Sequence, residues 1–267
     1  MKVVANGIDV SYAQGKIDWE KVKKSGKVQF AMIRGGYGKG KKNSKGEYTD
    51  SQVDDQFENN YAGCKQQGIP VGVYHYSYAD TVSGAEQEAE FCLSYLKGKS
   101  FDYPIAYDLE EQGSVSKSTL TEMAKAFCNK IKSAGYIPMI YTSKSYLTDK
   151  MNPSELSEFD IWVAQIYKEV TYTGTYTMWQ YSWTGNIDGI SGEVDLDYSY
   201  KDYTQSVSNY PYIVSEDGTF IDSNYPDLSS PTFINCTHSV IKTDKSGNKQ
   251  TIMGTNQYTG RYPSSPE

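Results

Sequence analysis

Short apolar runs alternate with longer amphipathic stretches through most of the chain, and the spacing of each kind predicts its structure. Runs rich in β-branched and aromatic residues, each too short for a helix and most ending in a polar or glycine-rich cluster, predict strands. They fall at residues 6–10, 28–34, 70–76, 104–110, 138–142, 161–166, 178–182 and 194–198, eight in all. Helical periodicity predicts helices at 18–25, 52–67, 84–96 and 118–134, the last three stopped by Gly68, Gly98 and Gly135. Residues 152–159 leave room for one brief helix, and the gaps before the last two strands read as turns.

This βα alternation, full in the first half and nearly bare in the second, predicts an α/β fold of the TIM-barrel type with eight strands joined by right-handed crossovers. An open doubly wound sheet is the alternative. It would gather polar residues at one switch point. Here Asp9, Arg34, His75, Asp108, Glu110, Thr142, Gln165, Gln180 and Asp195 fall near the C-terminal ends of separate strands, where a barrel builds its site. From about Tyr203 the composition turns to Tyr, Ser, Asn, Thr and Pro around turn signals, so residues 1–203 are expected to form the barrel and 204–267 a small β-rich appendage. The final RYPSSPE reads as the beginning of a linker.

The stretch YPIAYDLEEQGS, residues 103–114, runs an apolar strand straight into three acids. On a strand, residues i and i+2 share a face about 6.6 to 7 Å apart, so Asp108 and Glu110 point the same way. With Tyr107 and Leu109 turned toward the helices, both acids enter the barrel mouth, and Glu111 begins the loop as a solvated charge. Acids also favour the first turn of a helix, but Ser116 or Ser118 makes the better cap for the helix that follows. Two carboxylates so close split their pKa values, because ionising one makes the other harder to ionise. A protonated acid beside an ionised one is the pairing that glycoside hydrolysis uses. Asp9 and Asp195 are expected to meet where the barrel closes, adding negative charge that favours a cationic transition state.

Composition narrows the choice. A net charge of −7 argues against phosphate-backbone binding, so nucleic acid is not expected as a partner. No window approaches the roughly 20 apolar residues of a membrane span, and residues 1–7 lack the apolar core of a signal peptide. Cys64, Cys92, Cys128 and Cys236 form no CxxC pair; the first three sit in amphipathic helical stretches and read as buried thiols, with a disulfide open if the protein is exported. An acidic cluster could hold Mg²⁺ or Ca²⁺. Against that stand 25 tyrosines, with Tyr37, Tyr74, Tyr76, Tyr107, Tyr141, Trp162 and Trp179 near strand ends, which suit stacked sugar rings better than a hydrated cation; no metal or cofactor is expected. A barrel that binds glycan without cutting it, and a metal-dependent hydrolase, remain the other classes.

The motifs GIDVSYAQGKIDW (7–19), AMIRGGYG (31–38), GVYHYSYA (72–79), AYDLE (106–110), WVAQIY (162–167), MWQYS (178–182) and GEVDLDYSY (192–200) together resemble glycoside hydrolase family 25. The resemblance spans about residues 5–200 in order, and implies a modified barrel with fewer helices in its second half. It further implies a lysozyme that cuts the β-1,4 bond between N-acetylmuramic acid and N-acetylglucosamine in peptidoglycan, acting as a monomer outside the cell or at the wall, or as a phage endolysin. Position by position, it gives Glu110 as acid/base, Asp108 as its partner, and Asp9 and Asp195 as further catalytic carboxylates. Arg34, Tyr37, Tyr74, His75, Tyr76, Tyr107, Tyr141, Trp162, Gln165, Trp179, Gln180 and Asp197 are expected around the substrate. The family's VDLN-type motif reads VDLD here, so Asp197 replaces the usual Asn. The resemblance also suggests substrate assistance, with Asp108 orienting the sugar's acetamido group; the i, i+2 spacing is equally compatible with direct displacement by water.

Overall fold

The computed structural model describes residues 1–41, 43–45 and 49–204, together with four strands beyond them. In chain order the elements are β1 (Ala5–Val10), α1 (Trp19–Lys24), β2 (Phe30–Tyr37), the two-residue β3 (Gln52–Val53), α2 (Phe57–Gln67), β4 (Val71–Tyr76), α3 (Val82–Leu96), β5 (Ile105–Asp108), α4 (Lys117–Ser133), β6 (Pro138–Ser143), β7 (Asp160–Ala164), β8 (Met178–Gly185) and β9 (Val194–Ser199). Side chains of Asp18, Thr81 and Ser116 cap α1, α3 and α4 by accepting backbone N–H bonds. Gly68 ends α2 in the left-handed conformation, φ 59°. The brief helix expected within 152–159 is a single 3₁₀ turn, Pro153–Leu156.

Strands β1, β2, β4, β5, β6, β7 and β8 run parallel, and the ring closes as β1-β9-β8-β7-β6-β5-β4-β2 with β2 returning to β1. One expectation fails. β9 is antiparallel to both neighbours, not the last strand of a parallel set. The reason is length: residues 186–193 link β8 to β9, and a parallel return needs a crossover of about a dozen residues or more. A hairpin is what remains, and Gly189 (φ 97°) turns its tip so that its carbonyl accepts from the backbone N–H of Asp18 at 2.9 Å.

Alternation along each strand sorts the core into two shells. Ile8, Val10, Ile33, Val73, Ile105, Tyr107, Ile140 and Val163 face outward and pack with Phe57, Leu96, Phe127 and Ile131 of the helices. Phe30, Met32, Ala106, Met139, Trp162 and Met178 fill the barrel with Tyr103 and Tyr203. Phe30 and Tyr103 stack at 4.4 Å and Tyr203 tilts against Tyr103 at 5.1 Å, closing the floor. Gly7 faces this filling, where an added Cβ would lie 2.2 Å from the Phe30 ring.

Beyond residue 204, β10 (Thr232–Ile234) pairs with β13 (Tyr258–Gly260) and β11 (Ser239–Thr243) with β12 (Lys249–Met253), both antiparallel. Cys236 and the linker expected at the end lie outside the described residues. Cys64, Cys92 and Cys128 are buried free thiols. No described helix is long and apolar enough to cross a membrane.

Candidate active site

The C-terminal ends of the parallel strands open into a cavity of about 130 Å³, lined by Asp9, Arg34, Tyr74, Tyr76, Asp108, Glu110, Tyr141, Trp162, Gln180 and Asp195. Asp195 arrives by a different route from the others. It stands at the beginning of β9, and because that strand runs backward its first residues share the mouth with the last residues of the parallel strands, opposite Asp9.

Asp108 ends β5 and is buried, while Glu110 lies just past the strand and is open at the rim. A hydrogen bond joins the two carboxyls. Burial, and then the Glu110 charge, hold Asp108 well above the usual carboxylate range. Loss of water also raises Glu110; the Asp108 hydrogen bond opposes this, and the charges of Glu111 and Asp195 add to it. The pair therefore retains a proton where isolated carboxyls would have lost theirs. The second oxygen of Asp108, Oδ1, is buried with no hydrogen-bond partner.

A second carboxylate group lies across the cavity. Tyr141 donates its hydroxyl to Gln180 Oε1 (2.9 Å), and Gln180 Nε2 donates to Asp9 Oδ2 (2.8 Å). Asp9 is raised by burial and by the negative charge that Asp197 and Asp195 carry once ionised. Asp197 is fully buried beneath it; Oδ1 accepts from the Trp162 indole at 2.8 Å and Oδ2 meets no donor. Burial pushes the Asp197 carboxyl up to about 8, against the opposing Trp162 bond, so it stays neutral at pH 7. Among the described residues no group of three or more His, Cys, Asp and Glu is arranged to hold a metal ion.

Four residues expected around the substrate, His75, Tyr107, Gln165 and Trp179, lie elsewhere because alternation turns them out of the barrel, and Tyr37 lines a neighbouring chamber instead. His75 is between Tyr74 and Tyr76 in the strand, but packs behind the sheet. Its Nε2 donates to the Gly38 carbonyl (3.1 Å), leaving Nδ1 to accept from Tyr95 (2.8 Å), and burial lowers its pKa to about 3. Tyr107 stacks on Phe127 of α4 at 4.0 Å and donates to Glu88 (2.6 Å). Trp179 is buried in the outer shell and donates to the Gln165 carbonyl at 2.8 Å, while the Gln165 side chain folds onto Thr171. Asp197 faces inward but sits below the cavity and does not line it.

Several supporting residues were not anticipated. Asp54 accepts from Arg34 Nε (2.7 Å) and from the backbone N–H groups of Tyr12 (3.1 Å) and Gln56 (2.9 Å), fixing the guanidinium at the cavity wall. Glu88 of α3 accepts from Tyr107, Ser77 (2.8 Å) and the Tyr78 backbone (2.8 Å), and Gln112 donates to the Ser77 carbonyl (2.9 Å). These bonds tie the loops after β4 and β5 together from behind. Glu111, expected as a solvated charge, is exposed but accepts the Tyr76 hydroxyl at 2.7 Å. Nothing local marks Asp54 or Glu88, whose partners are 20 and 19 residues away. Tyr78, by contrast, continues the period-two run Tyr74, Tyr76, Tyr78 past the strand end.

A closed barrel whose mouth holds a proton-sharing carboxyl pair opposite further acids has the form of a glycoside hydrolase. Residues 8–190 match the model of Glycosyl hydrolases family 25, and the chain belongs to that family. It is 30% identical over 192 residues to the autolytic lysozyme of Clostridium acetobutylicum, covering 72% of this chain and 54% of that protein. With lysozyme M1 of Streptomyces globisporus it shares 31% identity over 207 residues, 71% of this chain and 65% of the relative. Among solved structures, the modular autolysin LytC of Streptococcus pneumoniae, determined with a synthetic peptidoglycan ligand, superposes with a TM-score of 0.63 at 28% identity, covering 73% of this chain and 46% of that one. The chain thus spans only about half of two of these longer proteins.

Proposed function

We propose that the protein is a peptidoglycan hydrolase that cuts the β-1,4 bond between N-acetylmuramic acid and N-acetylglucosamine, with Glu110 as general acid and then base. The observation that carries this reading is the Asp108–Glu110 pair: joined by a hydrogen bond, with Glu110 open at the rim and the unpaired Oδ1 of Asp108 buried behind it. Glu110 donates its proton to the leaving glycosidic oxygen, and a sugar over the rim excludes more water and so favours the protonated form. Asp108 Oδ1 takes the acetamido N–H of the substrate, which turns the acetamido oxygen toward the anomeric carbon as that bond breaks. A water then attacks, and Glu110 recovers a proton from it. Asp9 and Asp195 contribute negative charge opposite the developing cation.

Residues 1–203 form the catalytic unit in this reading and 204–267 an extension. The unit acts as a monomer outside the cell or at the wall, since all the proposed catalytic groups come from one chain. Glu110→Gln tests the assignment: release of muropeptides from purified cell wall, followed by mass spectrometry, should fall about 10² to 10⁴-fold with the circular dichroism spectrum unchanged. Full activity in that variant would remove Glu110 from its role. Chelation with EDTA should leave wild-type release unaffected.

A further inference from the structure

Glu110 lies beyond the reach of the sheet that carries it. The pairing of β5 with β6 ends at Asp108 opposite Tyr141, and the last backbone bond along that edge runs from the Leu109 N–H to the Tyr141 carbonyl at 3.0 Å. Two side chains take over from there. Thr142, near the end of β6 and fully buried, donates its hydroxyl to the Leu109 carbonyl at 2.5 Å. Gln112, also buried, accepts the Glu111 backbone N–H on Oε1 at 3.1 Å. The Leu109 carbonyl belongs to the peptide unit before the Glu110 Cα, and the Glu111 N–H to the unit after it. Each unit is planar, so the two bonds together hold both planes whose rotation sets the Glu110 backbone.

Neither grip is free to drift. Thr142 is β-branched, which restricts its side-chain rotation, and its strand is paired on the far side to β7 through Val163. Gln112 donates its amide to the Ser77 carbonyl (2.9 Å) and hydroxyl (3.3 Å), and Ser77 donates in turn to Glu88 of α3 (2.8 Å). The backbone at Glu110 is thus referenced to β6 on one side and to α3 on the other, although its carboxyl stands at an open rim. Thr142 and Gln112 do not line the cavity, so a sugar there touches neither. What they control is where the carboxyl points, and a misplacement of about 1 Å at a reacting group can cost about 10²-fold in rate.

We propose that Thr142 and Gln112 are positioning residues for the cutting reaction: by fixing the peptide units on either side of Glu110, they hold its carboxyl against Asp108 and aimed at the leaving oxygen. The inference rests on the reading of Glu110 as the acid. Its test measures the maximal rate and half-saturating wall concentration of muropeptide release, as a function of pH, for the full chain and four variants. Thr142→Val keeps the shape and removes the hydroxyl, Thr142→Ser restores the hydroxyl, Gln112→Met removes the acceptor, and Glu110→Gln checks the acid itself. Thr142→Val and Gln112→Met should each lower the maximal rate about tenfold at unchanged half-saturation, and Thr142→Ser should recover most of that loss. The groups facing Glu110 are the carboxyls of Asp108, Glu111 and Asp195 and the hydroxyls of Tyr76, Tyr141 and Tyr146, and none of them is altered. A loosened Glu110 regains water, and burial is the largest influence raising its carboxyl, ahead of the opposing Asp108 bond, so the alkaline limb of the rate should move to lower pH in both variants. Mere loss of folded protein would lower the rate alike at every pH and leave the limb in place; circular dichroism checks the fold of each variant. A wild-type rate with an unmoved limb in Thr142→Val and Gln112→Met, or a Thr142→Ser as slow as Thr142→Val, overturns the positioning role, while an inactive Glu110→Gln leaves the acid assignment standing. Full activity in Glu110→Gln overturns both.

Discussion

Asp197→Asn should make the protein more stable at neutral pH and indistinguishable from the wild type in acid. Folded Asp197 keeps its proton up to about 8, whereas the unfolded side chain loses it near 3.8, the ordinary value for an aspartate. Between those limits folding takes up a proton, so this residue's contribution is complete below 3.8 and is lost as pH rises through the window toward 8. At pH 7 the mismatch amounts to roughly 4 kcal/mol, at about 1.4 kcal/mol per pH unit. Asn cannot ionise and suffers no such loss. Its carbonyl can accept the Trp162 indole as Oδ1 does, and its amide carries a donor where the carboxyl leaves Oδ2 without a partner. Local relaxation and the coupling among Asp9, Asp195 and Asp197 reduce the realised gain to about 2 kcal/mol, or roughly 4 to 8 °C in melting temperature for a domain of this size. Thermal unfolding of both proteins by circular dichroism from pH 4 to 8 measures it. A melting-temperature difference that does not change with pH, or a variant that falls below the wild type at pH 7, would refute a neutral Asp197.

Asp108→Asn should lower the rate of muropeptide release about 10²-fold with little change in half-saturating wall concentration; a loss of under threefold would assign the partner role to Asp9 or Asp195 instead. Glu88→Ala strips the acceptor from Tyr107, Ser77 and the Tyr78 backbone and should cost about 3 kcal/mol in urea unfolding at unchanged m-value, with Glu88→Gln recovering most of it. Gly7→Ala drives a methyl group into the Phe30 ring, 2.2 Å away, and should cost about 1 to 3 kcal/mol. Phe30→Leu in the same chain should return part of that loss, which a double-mutant cycle of melting temperatures would reveal.

Most of the barrel could be read from the chain because strand placement depends on local pattern: each predicted strand overlaps an observed one, and the glycine stops fall where the helices end. Direction could not, since the pattern of 194–198 is the same run either way; only the short link before it forces the hairpin. Within the site, period two was the signal used for Asp108 and Glu110 but not for YHYSY, where it would have separated Tyr74 and Tyr76 from His75. The same rule sets Trp179 against Gln180. Contacts such as Arg34–Asp54 and Tyr107–Glu88 join loops and helices distant in sequence, and no periodicity encodes them.

The reversed β9 also decides where the chain enters and leaves. Ala5 pairs with Ser199, the Val4 amide donates to the Ser199 carbonyl at 2.8 Å, and Tyr203 seals the base by donating to Thr177 at 2.8 Å. Had the last strand run parallel, the polypeptide would have departed beside the substrate entrance. Instead both ends of the barrel leave from the underside, a few ångströms from each other and a full strand length from the mouth. Such a body can be joined at either end to another segment without the junction crowding an incoming polymer, and its head and tail are close enough to be linked. A circularly permuted chain, with new ends opened in the exposed turn at 97–98 that follows α3, is an architecture this geometry permits.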